Sequence, residues 1–284
     1  MGRISYVNGR YVAHHEAQVH IEDRGFQFAD SVYEVIALQN GRLIDGEEHF
    51  DRLDRSLGEL SIQQPMTRAA LKVVIKELFR QNRISYGALY LQVSRGQAKR
   101  DFPFPSDIQP TIVMVATRLK PFDYNKVSKG IKVISIEDIR WKRCDIKTVS
   151  LLAGAMGKTQ ANEQGAYEAW QIDGDGNVTE GTASNAWIVT QDGLLITRDL
   201  SNALLGGITR QTILKLAQKE NLKYVERAFS LEEAKAAKEA FTSSSTVFIR
   251  PIVQIDDTKI GTGKPGPFCL NVLKLYGQYM ESET

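Results

Sequence analysis

Apolar and polar residues alternate on both sides of Asn8-Gly9 in the run Tyr6-Val7-Asn8-Gly9-Arg10-Tyr11-Val12. Alternation puts every second side chain on one face of a strand, and an Asn-Gly pair tolerates the positive φ of a tight turn, so the chain is predicted to open with a hairpin. A second hairpin follows, because the β-branched and aromatic run 31–38 reaches Asn40-Gly41 and resumes as Arg42-Leu43-Ile44. The period then changes. Phe50, Leu53, Leu57 and Leu60 recur at three- and four-residue steps, which predicts an amphipathic helix over 47–60, and Leu71, Val74, Ile75 and Leu78 predict another over 68–81. Strands are expected at 88–94 and 111–117, separated by a loop that contains Pro103, Pro105 and Pro110.

Residues 119–130 hold Pro121, polar groups and alternating charge, with little to bury. This places a small N-terminal α+β domain over 1–120, a linker over 121–130 and a larger domain over 131–284. In the latter the pattern predicts strands at 131–136, 168–172, 186–190, 224–228 and 246–255. Helices are predicted at 151–164, 210–221 and 268–280. No internal repeat or low-complexity segment breaks the pattern.

Composition narrows the function classes. With 36 basic and 34 acidic side chains the net charge is +2, so no overall field recruits nucleic acid or an anionic membrane, and any anion must be bound by local geometry. No apolar run approaches the ~20 residues needed to span a bilayer. Cys144 and Cys269 form neither a disulfide framework nor a metal-binding pair, and the N-terminus has no basic start followed by an apolar run. The expectation is a cytoplasmic protein. His14, His15, His20 and His49 show no metal-ligand spacing and read as surface or structural residues, so no metal is expected.

Four clusters could carry chemistry. Leu205-Gly206-Gly207-Ile208-Thr209 runs into an amphipathic helix; glycines allow close backbone approach, and a helix start offers N–H groups and a positive dipole end to a phosphate. The same segment reads as a tight turn with Thr209 as an ordinary cap. The stretch from Arg140 to Lys147 carries Arg140, Lys142, Arg143 and Lys147, which is either a solvated face or a place where neighbouring cations and burial lower a lysine's affinity for its proton. Residues 177–185 are small and hydrogen-bonding, with Glu180 among them, and read as a turn. Thr242 to Thr246 is a hydroxyl-rich run, either a loop or half of an oxyanion cradle.

Taken together, EDRGFQFADSVYE, HFDRL, RWKRCDIK, TEGTASN and GGITR, in this order from Glu22 to Arg210, resemble the class IV aminotransferase family and its D-amino-acid branch in particular. The resemblance covers essentially the whole chain. It implies the two-domain α+β architecture of fold type IV, with a smaller N-terminal domain and a β-rich pseudo-barrel in the larger one. It also implies a homodimer and pyridoxal 5′-phosphate as cofactor. Lys147 would form the Schiff base with the cofactor and act as base and acid in turn. Glu180 would face the pyridine nitrogen, Leu205 would line the cofactor, and Arg52, Ile208, Thr209, Ser244 and Ser245 would grip its phosphate.

The substrates implied are an amino donor, a D-amino acid such as D-alanine, and a 2-oxo acid acceptor. For the substrate carboxylate the resemblance assigns Tyr33 and Arg100, but the histidine expected two residues after Arg100 is Phe102. Phenylalanine cannot donate a hydrogen bond, so the carboxylate grip loses a donor and gains an apolar wall. Asp101, beside Arg100, is a competing partner for it. An (R)-selective amine transaminase is the nearest alternative, then an L-branched-chain aminotransferase, and outside catalysis a phosphate- or nucleotide-sensing protein.

Overall fold

The computed structural model describes residues 2–282. The chain folds into two compact units: one takes in the chain up to Pro121 together with Ile146–Ser150, the other Phe122–Asp145 and Leu151–Ser282. The first holds β1 (Ile4–Val7), β2 (Arg10–Ala13), α1 (Arg24–Phe28), β3 (Ser31–Gln39), β4 (Arg42–Leu43), α2 (Gly46–Glu59), α3 (Arg68–Asn82), β5 (Gly87–Ser94) and β6 (Thr111–Arg118). The strands form one antiparallel sheet in the order β2-β1-β6-β5-β3-β4.

Both expected hairpins form. Asn8 and Gly9 sit at φ 44° and 89°, Asn40 and Gly41 at 47° and 81°, the paired positive values that let a two-residue turn follow the twist of its strands. Thr67 caps α3 by accepting from the Ala70 N–H. The apolar faces of α2 and α3, through Phe50, Leu53, Leu57, Leu71, Ile75 and Leu78, close over the sheet's Val32, Ile36, Leu89 and Leu91 to make the core.

The second unit contains α4 (Tyr124–Val127), β7 (Ile131–Glu137), α5 (Leu152–Glu163), β8 (Glu168–Ile172), β9 (Val178–Gly181), β10 (Asn185–Val189), β11 (Leu195–Thr197), α6 (Ile208–Lys219), β12 (Tyr224–Glu226), α7 (Leu231–Lys235), β13 (Glu239–Ser244), β14 (Phe248–Ile255), β15 (Thr258–Lys259) and α8 (Pro267–Ser282). Its sheet runs β12-β11-β10-β13-β14-β7-β8-β9, with β15 on β14. The sheet curls until β9, at its end, packs beside β10, which gives the half-barrel. Trp170, Phe229, Ile188, Ile196 and Ile252 fill its core.

Strands β9 and β13 form where the pattern marked none, and two further stretches differ from the sequence reading. Residues 122–130 carry a capped turn of helix: Asp123 accepts from the Lys126 N–H, Val127 is buried, and Phe122 packs edge-on against Phe248. Residues 146–150 belong with the first unit, not the second, because Ile146 enters the first core and the backbone pairs with β3.

Candidate active site

In the second unit, β9 pairs with β8 and places Glu180 in the curl of the sheet, 6% exposed. One of its oxygens takes a hydrogen bond from Arg140 Nη1, and the other accepts from Asn185 Nδ2 and the Leu205 N–H, each at 3.2 Å. Asn185 also donates to the Leu205 carbonyl at 2.9 Å, so a single buried amide ties the acid to the segment that opens α6. Arg140 is gripped from behind by Asp138, and Thr179 donates to the same carboxylate. Burial would push Asp138 up, but its bonds to Arg140 and Thr179 hold its carboxyl below the usual range.

α6 starts from Gly207, which supplies no side-chain cap, so its first N–H groups face forward without a local acceptor from that residue. A Cβ at Gly207 would stand 2.0 Å from Asn185 Oδ1, which is why glycine is required beside the amide. Ile208 and Thr209 are both buried in the first turn. The register of β10 with β13 sets Asn185 opposite Ser243, so Ser244, at the end of β13, and Ser245, in the following turn, lie at the end of β13 that adjoins the start of β10. A buried acid, a helix start and hydroxyls are thus assembled within one unit. This donor set fits a phosphorylated pyridine: an anion for a ring nitrogen, and N–H and O–H donors for a phosphate.

In the first unit, the 146–150 segment lies along β3: the Tyr33 N–H donates to the Lys147 carbonyl at 3.0 Å, and the Val149 N–H to Ser31 at 3.2 Å. The half-buried Lys147 ammonium stands 4.3 Å from the centre of the Tyr33 ring, and the Tyr90 ring lies 5.7 Å from the same ring. One residue along, Glu34 is buried, and Arg52 of α2 meets it with two parallel bonds, Nε at 2.8 Å and Nη2 at 2.7 Å. His49 Nδ1 adds a third at 2.7 Å. Burial alone would raise the Glu34 carboxyl, but the Arg52 guanidinium and then His49 bring it down to about 2. Burial lowers the affinity of His49 for its proton, Glu34 opposes this, and Arg52 and Lys147 lower it further.

Arg52, assigned to the phosphate by resemblance, is the counterion of Glu34. His49 was expected on the surface or in a structural role; it is buried, and the signal was there, since His49, Arg52 and Ser56 share the face of α2 that carries Leu53.

Arg100 and Phe102 gather elsewhere in the first unit, on Phe28. The Arg100 guanidinium stands 5.1 Å from that ring and Phe102 meets it edge-on at 5.7 Å. Phe102 is 78% exposed. Asp101 does not compete in the way its position suggested: its carboxylate accepts from the Phe102 N–H, and its carbonyl takes Arg24 Nη1 at 2.6 Å. Sequence reasoning missed Glu34, Asp138, Arg140 and Asn185, which act only through the residues they hold; for Glu34, Arg140 and Asn185 the one clue was their place inside motifs already singled out. Among the described residues, no cluster of metal-ligating side chains occurs, and no helix is long and apolar enough to cross a membrane.

Residues 31–255 match the sequence model described as amino-transferase class IV. Over 282 residues the chain is 36% identical to a D-alanine aminotransferase of Staphylococcus haemolyticus, covering 98% of both chains. Over 277 residues it is 39% identical to the D-alanine aminotransferase of Bacillus licheniformis, covering 98% of this chain and 97% of that one. A solved branched-chain amino acid aminotransferase of Escherichia coli superimposes with a TM-score of 0.91 over 100% of this chain and 96% of its own, at 21% identity, a likeness of fold.

Proposed function

Since the chain belongs to the class IV aminotransferase family, we propose that it transfers the amino group of a D-amino acid such as D-alanine to a 2-oxo acid. It does so with pyridoxal 5′-phosphate. The observation that carries this is the buried Glu180 tied through Asn185 to the start of α6, an arrangement a helix cap does not need and a charged pyridine phosphate does. When bound, the cofactor supplies an electron sink for charge developing at the substrate Cα.

The chain's own residues do the rest. The Lys147 amine would hold the cofactor through its aldehyde, and once freed by the substrate its Nζ would accept the substrate's Cα proton and return it. This requires Lys147 to be uncharged for part of the cycle, which its half-buried place favours. Tyr33, under the Lys147 amine, limits the directions from which it can work. Glu180 keeps a negative charge for the ring nitrogen. The α6 N–H groups at Ile208 and Thr209, with Ser244, Ser245 and Arg52, bind the phosphate, and Leu205 lines the ring. Arg100 pairs with the substrate carboxylate.

A second reading, (R)-selective amine transamination, is favoured by one observation: Phe102 presents an apolar ring where a donor was expected. A donor panel separates the readings. With cofactor-loaded protein and a 2-oxo acid, D-alanine should be consumed fastest; preference for (R)-1-phenylethylamine would replace the proposal by the second reading, and preference for L-leucine would refute both. The exposed Phe26 and Phe102 of the first unit support a homodimer, to be checked by sedimentation. The bacterial relatives and two unpaired cysteines support a bacterial cytoplasmic setting.

A further inference from the structure

We propose that Arg140 is a positioning residue that, through Glu180, decides on which side the proton shared with the cofactor's ring nitrogen resides; the proposal rests on the role given to Glu180 above. An acid facing a pyridine nitrogen can hold the pair in two forms, carboxylate with pyridinium or carboxylic acid with neutral pyridine. Only the first makes the ring a strong electron sink. Burial favours the second, because it penalises separated charge. Glu180 is buried, so an opposing influence is needed for the charged form.

Arg140 supplies it. Its guanidinium contacts one Glu180 oxygen directly, and all its remaining bonds serve to hold it there: Nε to Asp138 at 2.9 Å, and Nη2 to Asp138 at 2.6 Å, to the Ala203 carbonyl at 3.0 Å and to Thr179 at 3.2 Å. An arginine stays charged at every working pH, and its planar fork can engage two carboxylates at once, which a lysine cannot do with the same rigidity. Coulomb attraction falls with distance, so a cation touching the carboxylate lowers its proton affinity more than that of any base the carboxylate itself faces. The proton is thereby driven off Glu180 and onto the ring. The Asn185 and Leu205 donors act in the same sense on the other oxygen.

Asp138 tempers the effect. With Arg140 alone, Glu180 would be a tightly neutralised ion pair; with Asp138 and Glu180 both on Arg140, two acids share one cation, and Glu180 keeps enough charge to attract the pyridinium. Burial would loosen Arg140's proton, yet Asp138 and Glu180 raise its affinity above the ordinary arginine value, in keeping with a cation locked between anions.

The test is the nitrogen-15 resonance of ring-labelled pyridoxal 5′-phosphate bound to the wild type, R140K, R140Q and the double variant D138N/R140M. The wild type and R140K, which keeps a cation, should give the upfield signal of a protonated ring. R140Q and D138N/R140M should shift it downfield, since loss of a contact cation changes the proton partition by roughly a hundredfold or more. The double variant removes both ions of the pair together, so it reports even where R140Q leaves too much unpaired charge to fold. An unshifted signal in either R140Q or D138N/R140M, or a downfield signal in the wild type or R140K, overturns the proposal. Failure of the wild type to bind the cofactor through Lys147 would instead overturn the function on which it rests.

Discussion

Replacing Glu34 by glutamine tests how tightly the first unit depends on its buried charges. Glutamine keeps the volume of Glu34 but sets an amide donor either against Arg52 Nε at Oε1 or against both Arg52 Nη2 and His49 Nδ1 at Oε2, and removes the anion that faces the Arg52 side chain, 9% exposed. Two routes give the size. Breaking a buried ion pair by removing one partner costs about 3–5 kcal/mol. The Glu34 carboxyl falls from the usual 4.5 to about 2 on folding, and at 1.36 kcal/mol per unit that linkage is about 3 kcal/mol.

The sign of the pH dependence follows from the same shift. A carboxyl held below its unfolded value contributes fully above 4.5 and loses its contribution as pH falls through about 2. All three tryptophans, Trp141, Trp170 and Trp187, lie in the second unit, so their fluorescence would miss the change. Amide hydrogen exchange of β3 and β5 reports on the first unit directly. At pH 7 the E34Q variant should lose about 3 kcal/mol of protection there, and the difference from wild type should shrink steadily between pH 4.5 and 2. A loss below about 1 kcal/mol, or one unchanged at pH 2, would refute the reasoning.

Gly207→Ala drives a Cβ to within 2.0 Å of Asn185 Oδ1, so α6 must shift; cofactor affinity measured by absorbance titration should drop at least tenfold, and the unloaded protein should lose about 1–3 kcal/mol of stability, whereas an unchanged affinity would contradict the account. Phe102→His restores a donor beside Arg100, and the KM for D-alanine should fall with kcat little changed, whereas an unaltered KM would contradict the account of the carboxylate grip. Burial, only partly offset by Arg140, pushes the Cys144 thiol up to about 11, so labelling of native protein by iodoacetamide should be slow at pH 8 and accelerate steeply above pH 10; rapid labelling at pH 8 would contradict this.

The strength of local signal decided how much of this was legible in the sequence. The two hairpins and helices α2 and α3 follow from turn pairs and clear periods, because each buries one continuous apolar stripe against the first sheet. Strand β13, Glu239–Ser244, carries no alternation to read, since all but its last residue are buried. The segment around Glu180 looked like a turn because Asn177, Glu180, Gly181, Ala183 and Asn185 have weak strand preference; pairing of Gly181 with Trp170 makes it a strand. Lys147 was singled out through resemblance. Its attachment to β3 depends on the neighbouring Ile146 finding a core more than a hundred residues upstream, which no local pattern announces. The Asp138-Arg140-Glu180 chain likewise joins residues 40 apart in sequence.

The account's central claim is that one lysine side chain, that of Lys147, bonds to the aldehyde of pyridoxal 5′-phosphate. Borohydride reduction of the loaded protein fixes such a bond permanently, and peptide mass mapping then locates it. The phosphopyridoxyl group should appear on Lys147 and vanish in a Lys147→Ala variant. Its appearance on another lysine, or on none, would contradict the account.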